Sequence, residues 1–306
     1  MARRKKGNPV HGWLILDKPL EMTSTQAVGK VRWLFQAQKA GHAGTLDPLA
    51  TGILPIALGE ATKTVSFAVD GRKAYRFTVR WGVETATDDG EGDAVQRSDL
   101  RPSGEAIQAA LSSFIGDVMQ VPPAFSAIKV HGQRAYDLAR DGEEVDLAPR
   151  VVTIDMLRLV DRPDEHTAVF EAECGKGTYV RAIARDLGRG LGCFGHVIAL
   201  RRTRVGPFDE ASTVSLAELE AAAHPDADPL ALQQMLRPIE TALENVLELN
   251  VTTADAARLK MGQAILMRGR DAPILNGSAF AVCKGQIIAI GDLARGELRP
   301  TRVFNL

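Results

Sequence analysis

Residues 41–55 read GHAGTLDPLATGILP, and the reading of this stretch decides the fold. Asp47 is its one carboxylate, set between Leu46 and Pro48. Pro48 restricts the Asp47 backbone to extended values. Gly41, Gly44 and Gly52 permit tight turns and the close approach of another backbone. Such a loop can hold a side chain rigidly against a ligand. On spacing alone, Asp47 reads equally well as the cap of a turn. Hydrolases that work through carboxylates usually need two of them, and this loop has one.

Working outward, ILPIALG predicts a buried strand after the loop. GWLILDKP predicts another upstream, closed by a turn at Asp17-Lys18-Pro19. TSTQAVGKVRWLF between them reads as a helix. Thr23 and Gln26 have capping-box spacing, and Val28, Val31 and Phe35 share a face. AYRFTVRW alternates, with Tyr75, Phe77, Val79 and Trp81 pointing one way and Arg76, Thr78 and Arg80 the other. DDGEGDA reads as a solvated acidic turn, and GEAIQAALSSFIG as an amphipathic helix. Residues 123–150 mix a Pro-rich turn, basic residues and a short helix, as a protruding insertion would.

RVVTIDMLRLVD, HTAVFEAECG and HVIALRRTRVG predict strands. TYVRAIARDLGRGLG predicts a helix with Val180, Ile183, Ala184 and Leu187 inward. Further helices are expected from about Ser215 to about Leu243. After Val246 one helix and several short strands suggest a small β-rich module. The division is a basic tail at 1–10, a main domain at 11–245 and the terminal module at 246–306. The main domain is read as α+β with a mixed or antiparallel sheet.

Hydrophobic residues make up 45% and charged residues 25% of the 306, which suits a globular protein and excludes wholesale disorder. Cys174, Cys193 and Cys283 are odd in number and widely spaced, which argues against a disulfide framework and for a reducing cytoplasm. WLIL is too short for a signal peptide or a membrane span, so no membrane partner is expected. The net charge is −1, but its distribution is uneven. Residues 1–76 hold twelve Lys/Arg against five Asp/Glu, and residues 174–206 hold seven against one. These two segments could form one basic face; a merely solvated surface explains the counts as well.

Several chemistries drop out. GEATKT and GKGT fail the P-loop pattern, and no GxGxxG follows a strand. The six histidines are scattered without HExxH, so no zinc is expected. DDGEGDA lacks the Gly and Glu of a calcium loop. No GxSxG elbow is present. Neither metal nor cofactor is expected.

GHAGTLDPLATGILPIALGEATK resembles the catalytic motif of the TruB-type tRNA pseudouridine-55 synthases. LDKP upstream, AYRFTVRWGVETATDDGEG, PPAFSAIKVHGQRAYDLAR, CGKGTYVRAIARDLG and HVIALRRTRVGPF resemble further motifs of that family, in order, from about Gly12 to Phe208. By position the terminal module resembles the family's PUA-like RNA-binding domain. The resemblance implies a pseudouridine-synthase-like α+β catalytic domain and a stand-alone isomerase acting on uridine-55 in the T loop of tRNA. A monomer needing no guide RNA is expected. A guide-RNA-dependent relative, or a tRNA-folding protein using the same surface without catalysis, are the alternatives.

The reaction this implies breaks the N1–C1′ bond of uridine, turns the base and rejoins it through C5. It consumes no water, so one carboxylate can suffice. The resemblance makes Asp47 that carboxylate, acting as nucleophile or as base, with Arg181 as its cationic partner; without the motif, Arg181 reads as a surface arginine. It makes Tyr75 the aromatic stacked on the uracil, where strand packing is the plain alternative. Tyr179 becomes a second pocket tyrosine suited to proton transfer, and Leu200 an apolar wall. His42 becomes the side chain that fills the space a flipped uridine leaves. Lys18 supports the Asp47 loop or meets RNA. Lys129, Arg134, Arg201, Arg202 and Arg204 are the candidate phosphate contacts.

Overall fold

A computed structural model describes residues 7–126, 128–130, 132–143, 145–267 and 276–306, with the Arg134 side chain outside the described set. In chain order, strand β1 (Gly12–Lys18) leads to helix α1 (Ser24–Leu34), then strands β2 (Ala40–His42) and β3 (Ala50–Leu58). Helix α2 (Val65–Asp70), strand β4 (Lys73–Trp81), helix α3 (Gly104–Leu111) and strand β5 (Gly116–Gln120) follow. The expected insertion contains a hairpin of Lys129–Val130 with Gln133–Arg134 and then helix α4 (Ala135–Arg140). Strands β6 (Arg150–Asp161) and β7 (Thr167–Cys174), helix α5 (Val180–Gly190) and strand β8 (Gly195–Val205) complete the main domain's layer, with β9 (Val214–Ser215) at its edge.

These strands form one mixed sheet in the order β9-β1-β3-β8-β4-β7-β6-β5. Most neighbours are antiparallel, but β3 and β8 run parallel, as do β1 and β9. The Trp13–Leu16 run of β1 is apolar without a break because both of its faces are covered. Leu14 and Leu16 join one core with Phe77, Val79, Trp81, Ile183 and Leu187. Trp13 and Ile15 join another.

The capping box of α1 is present: Gln26 N donates to Thr23 Oγ1 at 3.1 Å, and Thr23 N donates to Gln26 Oε1 at 2.8 Å. Its buried face is Ala27, Val31 and Leu34, with Phe35 at the cap, while Val28 is only half-buried. Between Ser215 and Leu243 the expected helices are short, at Leu216–Ala222 and Ala231–Gln234 with a 3-10 turn at Ile239–Leu243.

The C-terminal β-rich domain is a five-stranded sheet. Its order is Leu247–Asn250, Gly277–Cys283, Gln286–Ala294, Glu297–Val303 and Ile265–Leu266. Phe280, Ile287 and Ile290 of this sheet, with Phe304 just beyond it, pack with Trp13, Ile15, Ile53 and Phe208 in the second core. Lys63 Nζ donates to Val303 O at 2.6 Å across the same junction. The domain is thereby fastened to the face of the main sheet opposite α5.

Candidate active site

Strand β8 is the scaffold. It pairs with β3 on one side, setting Leu200 beside Ala50 and Arg202 beside Gly52. On the other side it pairs with β4, setting Arg202 opposite Tyr75 and Leu200 opposite Phe77. The loop carrying Asp47 enters β3, so these two pairings gather Asp47, Tyr75 and Leu200 around the start of β3. Gly52 makes the approach possible. Its φ is +94°, and a Cβ there would lie 2.3 Å from Arg202 O.

Buried polar side chains hold the Asp47 loop residue by residue. Arg202 donates from Nη2 to Gly44 O at 3.0 Å, from Nη1 to Thr45 O at 3.3 Å and from Nε to Ile53 O at 2.8 Å. Ser24 Oγ accepts from Leu46 N at 2.8 Å and donates to Leu46 O at 3.0 Å. Lys18 Nζ donates to Met22 O at 2.7 Å, Pro19 O at 2.8 Å and Pro48 O at 3.4 Å. Every backbone unit from Gly44 to Pro48 except that of Asp47 itself is thus tied to one of these side chains, a rigidity that free loops lack.

Asp47 Oδ2 meets Arg181 Nη2 at 2.9 Å. Arg181 also pairs with Asp89 Oδ2 at 3.1 Å and donates to Thr87 O at 2.8 Å and Phe125 O at 2.9 Å. Its planar fork serves four acceptors from three separate segments, which a lysine could not do. Burial pushes the Lys18 ammonium down to about 8, while the Asp47 charge pulls it back up and Arg202 pushes it down further. One carboxylate therefore faces three cations, one in contact and two behind its loop.

Tyr75 is half-buried, and burial pushes its hydroxyl up while Arg202 draws it down. Leu200 is buried. Tyr179 caps α5 with its backbone, which the Gln120 amide clasps from both sides (Tyr179 N to Oε1 2.9 Å, Nε2 to Tyr179 O 3.2 Å). The Arg150 guanidinium lies 5.2 Å from the centre of the Tyr179 ring. His42 stands at the end of β2, half-buried, and its enclosed Nδ1 has no hydrogen-bond partner among the described residues. Burial, then the Arg202 charge, hold its imidazole below the usual histidine range.

Two expectations are corrected. Arg202 is 2% exposed and spends all three nitrogen positions on carbonyls, so it is a strut of the loop and has no surface to offer phosphate. The acidic turn is solvated only in part: Glu91 and Asp93 are exposed, but Asp88 and Asp89 are 5% and 2% exposed. They face α5, where Arg181, Arg185 and Arg189 recur every four residues. Arg185 pairs with Asp88 at 3.0 Å and Arg189 with Glu84 at 2.6 Å. That i, i+4, i+8 spacing beside an apolar stripe, with three acids within 84–89, is the signal that could have exposed this ladder in the sequence.

The basic segment 174–206 turns out to be internally matched. Lys176 pairs with Asp70, Arg201 with Asp17 and Glu210, and Arg204 with Glu173. With Arg181, Arg185, Arg189 and Arg202, all seven cations have partners. A single basic face built from this segment is therefore not what the fold makes. Lys129 stands exposed on the insertion hairpin, opposite Arg134 in the ladder.

Residues 32–180 match the family model for the TruB family pseudouridylate synthase N-terminal domain, and residues 181–244 that for the tRNA pseudouridylate synthase B C-terminal domain. The tRNA pseudouridine synthase B of Nitrobacter winogradskyi is 60% identical over 304 residues, covering 99% of this chain and 85% of its own. That of Agrobacterium fabrum is 56% identical over 305 residues, covering 99% and 97%. A chain from the structure of an H/ACA RNP bound to a substrate RNA containing 2′-deoxyuridine has a TM-score of 0.75 at 21% identity, covering 100% and 92%. At that identity the likeness speaks for the fold alone.

Proposed function

The chain belongs to the TruB family of pseudouridylate synthases, and on that premise we propose that it isomerises uridine-55 in the T loop of tRNA, stand-alone, with Asp47 as the catalytic carboxylate. The observation that carries this reading is the Asp47–Arg181 ion pair on an otherwise immobilised loop. In the reaction the N1–C1′ bond breaks, the base turns, and a C5–C1′ bond forms. C5 loses its proton and N1 gains one. The carboxylate acts on the ribosyl-uracil unit as nucleophile or base, and Arg181 fixes its direction. On this reading Tyr75 stacks on the uracil, Leu200 closes the pocket below it, and Tyr179 serves the proton transfer that follows rejoining.

Uridine must leave its stack to reach Asp47, and His42 fills the space it vacates, offering a neutral ring. Lys129 and Arg134 meet the RNA backbone from the insertion. Arg201 and Arg204 contribute only where RNA displaces their acidic partners. Lys18 serves the loop rather than the RNA. The C-terminal sheet acts as a PUA-like RNA-binding domain beyond residue 245. The protein works as a monomer in the cytoplasm. Three free cysteines support a reducing compartment, and no described helix is long and apolar enough to cross a membrane.

The test is to incubate transcribed tRNA with the purified protein and map pseudouridine. Conversion at position 55 without added RNA is expected, and Asp47→Asn should abolish it while RNA affinity stays within a few-fold. Dependence on a guide RNA would sink the stand-alone claim. Modification elsewhere would sink the site preference, and full turnover by Asp47→Asn would sink the mechanism.

A further inference from the structure

Arg181 and Arg185 sit one turn apart on α5 and make the same kind of contacts. Each pairs with one of two adjacent buried acids, Arg181 with Asp89 and Arg185 with Asp88. Each also donates from Nη2 to a carbonyl at the root of the insertion, Arg181 to Phe125 O at 2.9 Å and Arg185 to Val121 O at 2.7 Å. Between those two carbonyls lies Val121-Pro122-Pro123-Ala124-Phe125. Two prolines fix φ in succession, so this span is a stiff bar held at both ends by α5.

The bar is linked outward and inward. Outward, the Phe125 ring packs edge-on against Tyr136 of α4 at 6.0 Å, and Tyr136 N donates to Ser126 O at 2.9 Å. Inward, the Arg181 Nη2 that serves Phe125 O also serves Asp47. An open cleft of about 310 Å³ lies beside the bar, lined by Glu84, Asp88, Val121, Pro122, Arg185 and Arg189 among others. The contacts with the two arginines, at its two ends, set where the bar rests. Asp88 keeps its place with φ +61°, a backbone that persists in a non-glycine residue only where the surroundings over-determine it.

We infer that Arg185 and Asp88 are positioning residues for the isomerisation. They fix the root of the insertion, so that RNA gripped by the insertion bears on Arg181 and through it on the direction of the Asp47 carboxylate. The inference rests on the proposed activity, and it is specific to the second rung of the ladder, which touches neither Asp47 nor the pocket.

The test uses the full chain and tRNA carrying tritium at C5 of its uridines, since the reaction releases that hydrogen. Single-turnover rate at saturating enzyme, RNA affinity by filter binding and thermal midpoint are read for wild type, Asp88→Asn, Arg185→Gln and Arg185→Lys. The expected result is a rate about tenfold lower for Asp88→Asn and Arg185→Gln, with affinity within threefold. Arg185→Lys, which retains the charge but one contact, should fall between. A merely structural role would lower the thermal midpoint and the active fraction while the surviving molecules kept the wild-type rate. That result, or rates within twofold of wild type, overturns the inference. Should Arg185→Gln fail to fold, the near-isosteric Asp88→Asn decides alone. Failure of the underlying activity is distinguishable, because wild type itself would then release no tritium.

Discussion

Arg181 and Asp47 form an ion pair of 2.9 Å in which the cation is 6% exposed and the carboxylate 37% exposed. The asymmetry is the functional point. The guanidinium is anchored inside the protein by Asp89, Thr87 and Phe125, and the carboxylate it directs is the more exposed partner, as the proposed catalytic role requires. Preorganised charge of this kind costs no rearrangement at the moment of reaction.

Replacing Arg181 by Lys should therefore separate charge from geometry. A lysine keeps the cation but cannot serve Asp47, Asp89 and two carbonyls together. The single-turnover rate is expected to fall about 10²-fold, the scale of loss that follows a misplacement of roughly 1 Å, with RNA affinity changed little. A rate within threefold of wild type would show that charge alone suffices.

Arg202 and Arg204, two residues apart on one strand, should differ sharply when truncated. Arg202→Met strands three carbonyls around the Asp47 loop, each costing about 1–3 kcal/mol when left unpaired. The thermal midpoint should drop by several degrees or more and activity with it. Arg204 and Glu173 form a half-exposed pair, and Arg204→Ala should cost no more than about 1 kcal/mol. Equal losses in thermal melts would contradict the strut assignment.

Asp88 supplies a pH prediction. It faces Arg185, Arg181 and Arg189 of α5 and Glu84 of its own loop. Burial pushes its carboxyl up to about 6, the neighbouring arginines pulling the other way and Glu84 adding to the rise. The folded state then holds this proton more tightly than the unfolded chain, whose aspartate lies near ~3.9. Asp88 therefore adds stability as pH falls from about 6 towards about 4, and that contribution is lost as pH rises through about 6. The thermal midpoint of wild type relative to Asp88→Asn should rise on acidification through this window. The single-turnover rate should move the opposite way, since protonation removes the charge partner of Arg185. An acid limb of the same size in Asp88→Asn would assign it to another group.

Much of the scaffold was legible because the patterns are local. The capping box at Thr23 and Gln26, the alternation from Tyr75 to Trp81 and the apolar stripe Val180, Ile183, Ala184 and Leu187 each fix one element by its own period. The ladder was not legible in the same way. An arginine on a helix and an aspartate in a Gly-rich turn look solvated until the fold brings Asp88 and Asp89 against α5 and removes water from both sides. Ser24 and Gln120 were missed for a related reason: each acts on a backbone group far away in sequence, Ser24 on Leu46 and Gln120 on Tyr179, and no local spacing announces that.

Most elements, the α+β class and the single carboxylate of the loop at 41–55 were legible in the amino-acid sequence, because periodicity and turn chemistry act over a few residues; that the sheet is mixed emerged with its parallel pairs. Which charges are buried and which meet water came from the tertiary structure. Desolvation depends on what the fold lays over a residue, and so Arg202, read from the sequence as a phosphate contact, became with Lys18 and Arg181 part of the buried frame around the Asp47 loop.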